Sequence, residues 1–165
     1  MSFLFLDTET TGLEPHHQVW EIGYAELTGP VRSFFVSHTT VGASEKALEM
    51  TDYVNRGASN PFVWEPKEEH RLFSMITPET TIIAANPSFD RDKLLARWGS
   101  FPAHYRLLDI ESWATAQIDN TRAPMGMKGI FNWFEEQGIE ISTPDHTAGG
   151  DVRAMREIYN YFTEC

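Results

Sequence analysis

Two acidic side chains near the start of the chain are placed to bind a cation together. Asp7 and Glu9 follow a short apolar run, residues 2–6, that is typical of a strand buried on both faces. Because side chains alternate along an extended strand, both carboxylates project from one face, where their charges repel. A hard divalent cation such as Mg²⁺ or Mn²⁺ relieves that repulsion, since these ions prefer oxygen ligands. A solvated strand end that binds nothing is the alternative interpretation.

A histidine and a further acid near the end of the chain could share a site with each other. His146 and Asp151 lie five residues apart, which on one continuous helix would separate them by about 140° around the axis. If His146 lies in a loop and Gly149 and Gly150 open the helix, Asp151 falls in its first turn and both side chains can point into one site. A polar loop residue without a ligand is the alternative for His146.

Residues 7–12 also resemble the opening of a calcium-binding loop, with acids at the first and third positions and glycine at the sixth. The position of the bidentate glutamate is occupied by Gln18, and the segment before the loop is a predicted strand instead of a helix. Both observations exclude an EF-hand.

The apolar pattern predicts the elements that must position these groups. Strands are expected at residues 2–7, 19–27, 31–36, 81–85 and 105–109, and helices at 44–53, 66–76, 90–98, 111–118, 126–137 and 149–162. A polar loop is expected at residues 55–65. The order β-β-β-α-α-β-α-β-α-α-α predicts an α/β fold in which helices pack on the faces of a mixed sheet.

Size and charge narrow the classes of function. The chain has 165 residues, 41% of them hydrophobic, which suits one compact domain. A formal net charge of −11 argues against a general binder of duplex DNA or anionic membranes. No apolar run approaches the roughly 18 residues of a membrane span, and no secretory signal is recognisable, so we expect a cytoplasmic protein without a membrane partner. Cys165, the one cysteine, permits neither an internal disulfide nor a multi-thiolate zinc site.

Three segments together resemble the motifs of the DnaQ-like (DEDDh) 3′-5′ exonucleases, a family that includes proofreading subunits and RNase T. They are FLDTETTGL at residues 5–13, NPSFD at 86–90 and HTAGGD at 146–151. Their order and their span of most of the chain make the resemblance specific. It implies an RNase H-like fold, a mixed five-stranded sheet flanked by helices, with residues 1–165 as a single exonuclease domain.

The chain departs from the family pattern in three places. Ala85 stands where the family often has histidine, and Gly149 and Gly150 replace bulkier residues. None of these is a metal-ligand position. Residues 41–66 match no known motif, so the sequence leaves substrate preference open.

The resemblance implies a catalytic role for each motif residue. Asp7, Glu9, Asp90 and Asp151 would hold two divalent metal ions, Mg²⁺ or Mn²⁺, with Asp7 bridging them. His146 would be the general base that takes a proton from the attacking water. The reaction would release 5′-mononucleotides from the 3′ ends of single-stranded DNA or RNA.

The resemblance also implies contacts with the substrate. The backbone at Thr10 would meet the terminal 3′-hydroxyl, and Leu13 would wedge against the last base, with packing under the loop as the alternative for Leu13. Phe89 is a candidate for stacking on a base, and burial in the core is its alternative. Trp64, between two prolines, is a candidate for a base or partner contact. Basic side chains that could touch phosphates or form an ordinary solvated surface are Arg91, Lys93, Arg97, Arg122 and Lys128.

The leading hypothesis is therefore a metal-dependent 3′-5′ exonuclease. The alternatives are a nucleic-acid-binding or polymerase-associated docking module, and a phosphodiesterase of short oligonucleotides, whose small substrates would suit the acidic surface. The family resemblance suggests a homodimer or a DNA polymerase as protein partner. The sequence does not distinguish DNA from RNA, because that choice depends on how the site treats the 2′-hydroxyl.

Overall fold

Five strands and six helices form the fold over residues 2–163, which are the residues that this computed structural model describes. In chain order they are β1 Ser2–Thr10, β2 Val19–Glu26, β3 Arg32–Phe35, α1 Glu45–Met50, a 3-10 helix Pro61–Val63, α2 Pro66–Met75, β4 Thr80–Ala84, α3 Pro87–Trp98, β5 Leu108–Asp109, α4 Ile110–Ile118, α5 Gly126–Glu136 and α6 Ala148–Thr163. The predicted order of elements is confirmed. Cys165 lies outside the described residues.

The strands form one mixed sheet in the order β3-β2-β1-β4-β5. β1 pairs antiparallel with β2, and β2 antiparallel with β3. β1 pairs parallel with β4, and β4 parallel with β5. The α/β fold with a mixed five-stranded sheet, expected from the sequence, is confirmed, and β1 lies at its centre. Between residues 2 and 163, no helix combines the length and the apolar character needed to cross a membrane.

Alternation along β1 divides the hydrophobic core into two layers. Leu4 and Leu6 pack on one face of the sheet with α2 and α3, and Phe5 packs on the other face with α4, α5 and α6. The buried helical side chains of the two layers are Leu72 and Leu94 on the first face, and Ile110, Ala114, Ile130, Phe134, Val152, Met155 and Ile158 on the second. Odd-numbered residues of β1, which include Asp7 and Glu9, therefore face the side of α6.

Element boundaries differ from the predicted ones mainly next to the polar motifs. β1 continues to Thr10 and is bulged between Glu9 and Thr10, where its partners change from Glu21 to Val19. α3 begins at Pro87, three residues before the predicted start, because proline suits the first helical turn and Asn86 enters it in the left-handed conformation at φ 54°. β5 is limited to two residues, because only Leu108 and Asp109 pair with β4.

The start of α6 packs unusually close to β2 and β3. A methyl group built at Gly23 of β2 would lie 2.2 Å from the carbonyl oxygen of Ala148, and one built at Gly149 would lie 2.9 Å from Cβ of Ser33. Both distances are too short for a carbon atom, so glycine is required at these positions by the neighbouring backbone and strand. The last motif of the sequence is thereby held against the sheet.

We expect Gly23→Ala to destabilise the protein by about 1–3 kcal/mol in urea unfolding, because the added methyl group must push α6 away from β2. Gly99→Ala is the matched control: Gly99 has φ 74° with open space around it, so alanine there costs about 1 kcal/mol of backbone strain without displacing a neighbour. Amide exchange at Ala148 should rise in the first variant alone. A Gly23→Ala protein as stable as wild type would contradict this packing.

Candidate active site

Three carboxylates from two distant parts of the chain meet beside the end of β1. One oxygen atom from each of Asp7, Glu9 and Asp151 lies within 4.8 Å of the other two. Within residues 2–163, this is the one group of three acidic, histidine or cysteine side chains whose ligand atoms are close enough to share a metal ion. The expectation that Asp7 and Glu9 share a face is confirmed, and Asp151 joins them.

Asp151 reaches the two strand acids from the first turn of α6, as expected. Its backbone N–H donates to the carbonyl oxygen of Thr147 at 3.0 Å, and its Oδ1 accepts the N–H of Asp145 at 3.2 Å. The loop residue between them, His146, has a left-handed backbone at φ 56°. His146 therefore lies outside the helix while Asp151 lies inside it, which lets both approach one site.

Asp90 lies close to this group without belonging to it. It occupies the first turn of α3 and is only 2% exposed. Its Oδ1 accepts the hydroxyl hydrogen of Thr8 at 2.7 Å, and Thr8 projects from the opposite face of β1 to Asp7 and Glu9. The structure thus brings three of the four predicted metal ligands together, and Thr8 holds the fourth.

Burial, together with the charges of the neighbouring acids, raises the pKa values of Asp7 and Glu9. Burial, followed by the negative charges of Asp90 and Asp151, raises the pKa of Asp7 well above its usual range. Burial, followed by the charge of Asp151, raises the pKa of Glu9 to about 8, while the positive charge of Arg56 opposes the rise. Three like charges in a partly dry site repel, so a proton or a cation is needed to neutralise them.

The two helical acids are perturbed less. Burial raises the pKa of Asp90 to about 7, and the hydrogen bonds from Thr8 oppose the rise. Burial also raises the pKa of Asp151 to about 6, and the nearby imidazole of His146 opposes this most strongly. His146 and Asp151 line the same cleft.

A cleft of about 490 Å³ opens next to the carboxylates. Asp7, Asp151 and the exposed His146 line it on the polar side. Its other walls are mostly apolar, with Lys128 and Asn132 as further polar side chains; the apolar lining comes from Ala85, Met127, Phe131, Pro144 and Met155. Ala85, where the family often has histidine, is therefore a wall of the cleft.

Hydrogen bonds fix the loop that carries His146. Oδ1 of Asp145 accepts the N–H of Thr147 at 3.1 Å and its hydroxyl at 2.6 Å, and the Thr147 hydroxyl oxygen accepts the N–H of Gly150 at 2.9 Å. A methyl group at Gly150 would lie 2.0 Å from Asp145 Oδ1. Gly150 is therefore needed for Asp145 to fold over the start of α6, which gives this departure from the family pattern a structural reason.

The predicted substrate-binding residues lie in different environments. Thr10 is buried, and its hydroxyl donates to the carbonyl oxygen of Gly12 at 2.9 Å. Leu13 is 79% exposed, so the interpretation that it packs under the loop is wrong. Phe89 is half-buried outside the core clusters, with the Lys93 ammonium 5.3 Å from its ring centroid, so core burial is wrong for Phe89 as well.

Several other candidates for substrate contact are occupied within the protein. Trp64, a candidate for a base or partner contact, is half-buried, and its indole N–H donates to the carbonyl oxygen of Ala58 at 3.0 Å. Lys93 is buried, and its ammonium donates to the carbonyl oxygens of Glu14 at 2.5 Å and His17 at 3.1 Å. Arg97 is bound to Glu69 and Ser37, and Arg91 to Asp92. Among the basic residues that the sequence suggested as phosphate contacts, Lys128 lines the cleft.

Two charged residues behind the site, Glu21 and Arg56, are not singled out by any sequence motif. Glu21 is buried on β2 directly opposite Glu9, and it pairs with Arg56 at 2.5 Å. One signal in the sequence could have drawn attention to Glu21: it is the one acid inside the otherwise apolar stretch of residues 19–25. Arg56 carries no such signal, because it comes from the segment that resembles no motif.

The donor set fits a divalent cation. All three grouped side chains offer carboxylate oxygens, the ligands that Mg²⁺ and Mn²⁺ prefer. Burial raises the pKa values of all three, and repulsion from neighbouring acids adds to the rise for Asp7 and Glu9; a bound cation would stabilise the charged forms. The group contains neither sulfur nor imidazole, so metals that prefer those ligands have no specific advantage there.

Solved structures of exonuclease I share this fold. The chain superposes on E. coli exonuclease I in complex with a dT13 oligonucleotide with a TM-score of 0.68 and 18% identity, covering 97% of this chain and 40% of that one. For the zinc-ion-bound form of the E. coli ExoI–ssDNA complex the TM-score is 0.66 at 19% identity, covering 96% and 39%. For an ExoI/SSB-Ct complex the TM-score is 0.64 at 16% identity, and the match covers 99% of this chain and 42% of that one.

These likenesses confirm the expected RNase H-like fold. The chain spans about two-fifths of the length of these structures. No protein-family model matches the chain, and no curated protein matches it significantly.

The raised pKa values predict an unusual pH dependence of stability. In the metal-free protein Asp151, Asp90 and Glu9 keep protons up to pH values of about 6, 7 and 8, whereas the unfolded chain loses them near pH 4. The folded state therefore binds more protons than the unfolded state between about pH 4 and 8, so stability falls as pH rises through that window. We expect the melting temperature in EDTA to be lower at pH 8 than at pH 5.

Mg²⁺ or Mn²⁺ should reverse this trend, raising the melting temperature more at pH 8 than at pH 5, because deprotonated carboxylates bind the ion. Asp7→Asn is the informative variant. It removes one of the repelling charges, so its metal-free form should exceed wild type in stability at pH 8 while gaining little from added metal. A melting temperature independent of metal at pH 8 would contradict the proposed cation site.

Proposed function

We propose that this chain is a DnaQ-like exonuclease that removes 5′-mononucleotides from the 3′ ends of single-stranded nucleic acid with the aid of divalent metal ions. The observation that carries the proposal is the convergence of the carboxylates of Asp7, Glu9 and Asp151, two of which, Asp7 and Asp151, line one cleft together with His146. These are residues of the first and third motifs, which lie far apart in the sequence. A docking module would have no need for such a costly concentration of acids.

Asp7, Glu9 and Asp151 would hold the metal, with Asp90 adjacent as a fourth ligand once Thr8 releases or shares its carboxylate. When bound, two such ions would neutralise the phosphate, activate the nucleophile and stabilise the leaving oxygen. The protein supplies the fixed arrangement of carboxylates, since each comes from a strand or from the first turn of a helix.

His146 is suited to accept the proton of the attacking water. Its ring is exposed on the cleft, whereas its backbone is held by the hydrogen bonds of Asp145 and Thr147 on either side. A general base needs both features, because it must reach the solvent-filled site and yet keep one position relative to the phosphate.

The surroundings of the site favour a strand end as substrate. The exposed Leu13 stands near the buried Thr10, whose backbone would meet the terminal 3′-hydroxyl. The cleft of about 490 Å³ has the size of a site for one or two nucleotides. Exonuclease I has been solved with dT13 and dA16 oligonucleotides, and by analogy of fold we propose single-stranded DNA as the first substrate to test.

A homodimer or polymerase partner and a cytoplasmic location stay predictions.

The second candidate is a phosphodiesterase of short oligonucleotides. The observation that favours it is the net charge of −11 together with the engagement of Lys93 and Arg97 in contacts within the protein. A long strand gains affinity from many phosphate contacts, and this surface offers few of them.

We expect stepwise shortening of a 5′-labelled single strand from its 3′ end in Mg²⁺ or Mn²⁺, tested with matched DNA and RNA. His146→Ala should lower turnover by roughly 10²- to 10⁴-fold, because the proton acceptor is lost, and Asp7→Asn should abolish it. His70→Ala, an exposed histidine of α2, serves as control and should match wild type. Full activity in His146→Ala would refute its assignment as the base, and no cleavage by folded, metal-loaded wild type would refute the exonuclease.

Chain length separates the two candidate functions. An exonuclease acting on strand ends should show kcat/KM that rises from a dinucleotide to a strand of several nucleotides and then levels off, as each added nucleotide fills the cleft. A phosphodiesterase of short oligonucleotides should prefer the dinucleotide. The measurement is product release from a length series of one sequence.

A further inference from the structure

The buried carboxylate of Glu21 connects three parts of the chain directly behind the site. Glu21 lies on β2 opposite Glu9 and is 1% exposed. Its Oε1 accepts the hydroxyl hydrogen of Ser33 and an N–H of the Arg56 guanidinium, both at 2.5 Å. Its Oε2 accepts the backbone N–H of Ala148 at 3.1 Å. Both oxygens are therefore used within the protein.

A charged carboxylate in this position lowers the stability of the folded protein. Burial costs a charged group several kcal/mol, and two acids directly opposite each other on paired strands repel. Glu21 stands beside an acidic cluster, so its charge also raises the pKa values of Asp7 and Glu9. An apolar residue would satisfy the fold at lower cost, which indicates that the carboxylate does something that packing alone does not.

The bond to Ala148 shows what that is. Ala148 is the first residue of α6 and lies between His146 and Asp151 in sequence. Its N–H is one of the helix-terminal donors that have no partner within the helix, so a carboxylate there both satisfies it and complements the helix dipole. Glu21 thus ties the third motif to the strand that runs beside Asp7 and Glu9.

Arg56 fixes Glu21 in turn. Its guanidinium lies 4.9 Å from the ring centroid of Trp20 and 5.3 Å from that of Phe35, so both rings and the carboxylate confine it. Tyr53 and Ala58, on either side of Arg56 in sequence, are buried in the same small cluster as Trp20. The segment 41–66, which resembles no known motif, therefore delivers a cation to the back of the site.

We propose that Glu21 and Arg56 are a positioning pair. They hold the start of α6, and with it His146 and Asp151, at a fixed position relative to Asp7 and Glu9. The inference rests on the proposed function, since a merely structural ion pair would need no such fixed position. Neither residue is a catalytic residue, because both lie behind the carboxylates and their polar contacts are made within the protein.

The test replaces the pair by apolar residues of similar size, Glu21→Leu with Arg56→Met. Removing a buried ion pair as a whole is often neutral for stability, whereas removing one partner is not. If the pair serves stability alone, the double variant should fold and cleave like wild type. If it positions the third motif, kcat should fall by about 10- to 100-fold with KM within about two-fold, although the melting temperature is retained.

Two further variants guard against misfolding and general damage. Glu21→Gln keeps the shape and an oxygen for Ala148 but loses the charge, and it should lose less activity than the double variant. Glu69→Gln is the matched control: Glu69 pairs with Arg97, and their side chains are 18% and 17% exposed, but the pair joins α2 to α3 away from α6. This control should be destabilised yet keep kcat. An unchanged kcat in both Glu21 variants would overturn the proposal.

Two readouts do not depend on cleavage. Amide exchange at Ala148 should accelerate by at least about ten-fold in the double variant and not in Glu69→Gln, because only the first removes its acceptor. Mn²⁺ affinity, measured by calorimetry, should weaken in the double variant because the carboxylate of Asp151 is no longer held at its position beside Asp7 and Glu9. If wild type cleaves no nucleic acid, the proposed function fails while these two measurements still decide the inference; unchanged exchange and Mn²⁺ affinity would overturn it.

Discussion

The fold is organised around negative charge placed at the end of its central strand. Asp7 and Glu9 stand on one face of β1, and Asp151 and Asp90 approach from helices on the two sides of the sheet. Their raised pKa values show that this arrangement opposes folding in the metal-free protein. Two hydrophobic layers, one on each face of the sheet, provide the free energy that keeps the acids together.

Backbone irregularities cluster around these acids for the same reason. The bulge after Glu9 and the left-handed residues Asn86 and His146 all lie in or beside the three sequence motifs. Each departs from regular geometry at some energetic cost, which persists only where the surrounding structure holds it. Close contacts around Gly23 and Gly150 supply that support at the start of α6.

The sequence predicts most of the fold, since its periodicities and turn residues are local. Strand alternation predicts that Asp7 and Glu9 share a face, and a helix start lets His146 and Asp151 point into one site; the family resemblance is what implies that these pairs form one site together. It does not predict that Thr8 would hold Asp90, that Leu13 would be exposed or that Trp64 would be packed, because each depends on a contact between distant segments. The sequence does not single out Glu21 and Arg56 for the same reason, because the hydrogen-bond partners of Glu21 lie between 12 and 127 residues away along the chain. The metal number, the direction of cleavage and the single-domain assignment stay predictions.

The charge distribution constrains how such a site can recognise a nucleic acid. Much of the basic surface near the motifs is turned inward: Lys93 holds the loop at Glu14, Arg97 pairs with Glu69, and Arg56 supports Glu21. Electrostatic attraction along a phosphate backbone is therefore weak, and long-range steering would favour cations over strands. Under the proposed function, recognition would come from contacts at the reacting end, where bound cations would reverse the sign of the local charge and the apolar walls of the cleft would receive a base. A site of this kind would select a strand by its terminus instead of by its length, which is the selectivity that the proposed exonuclease requires.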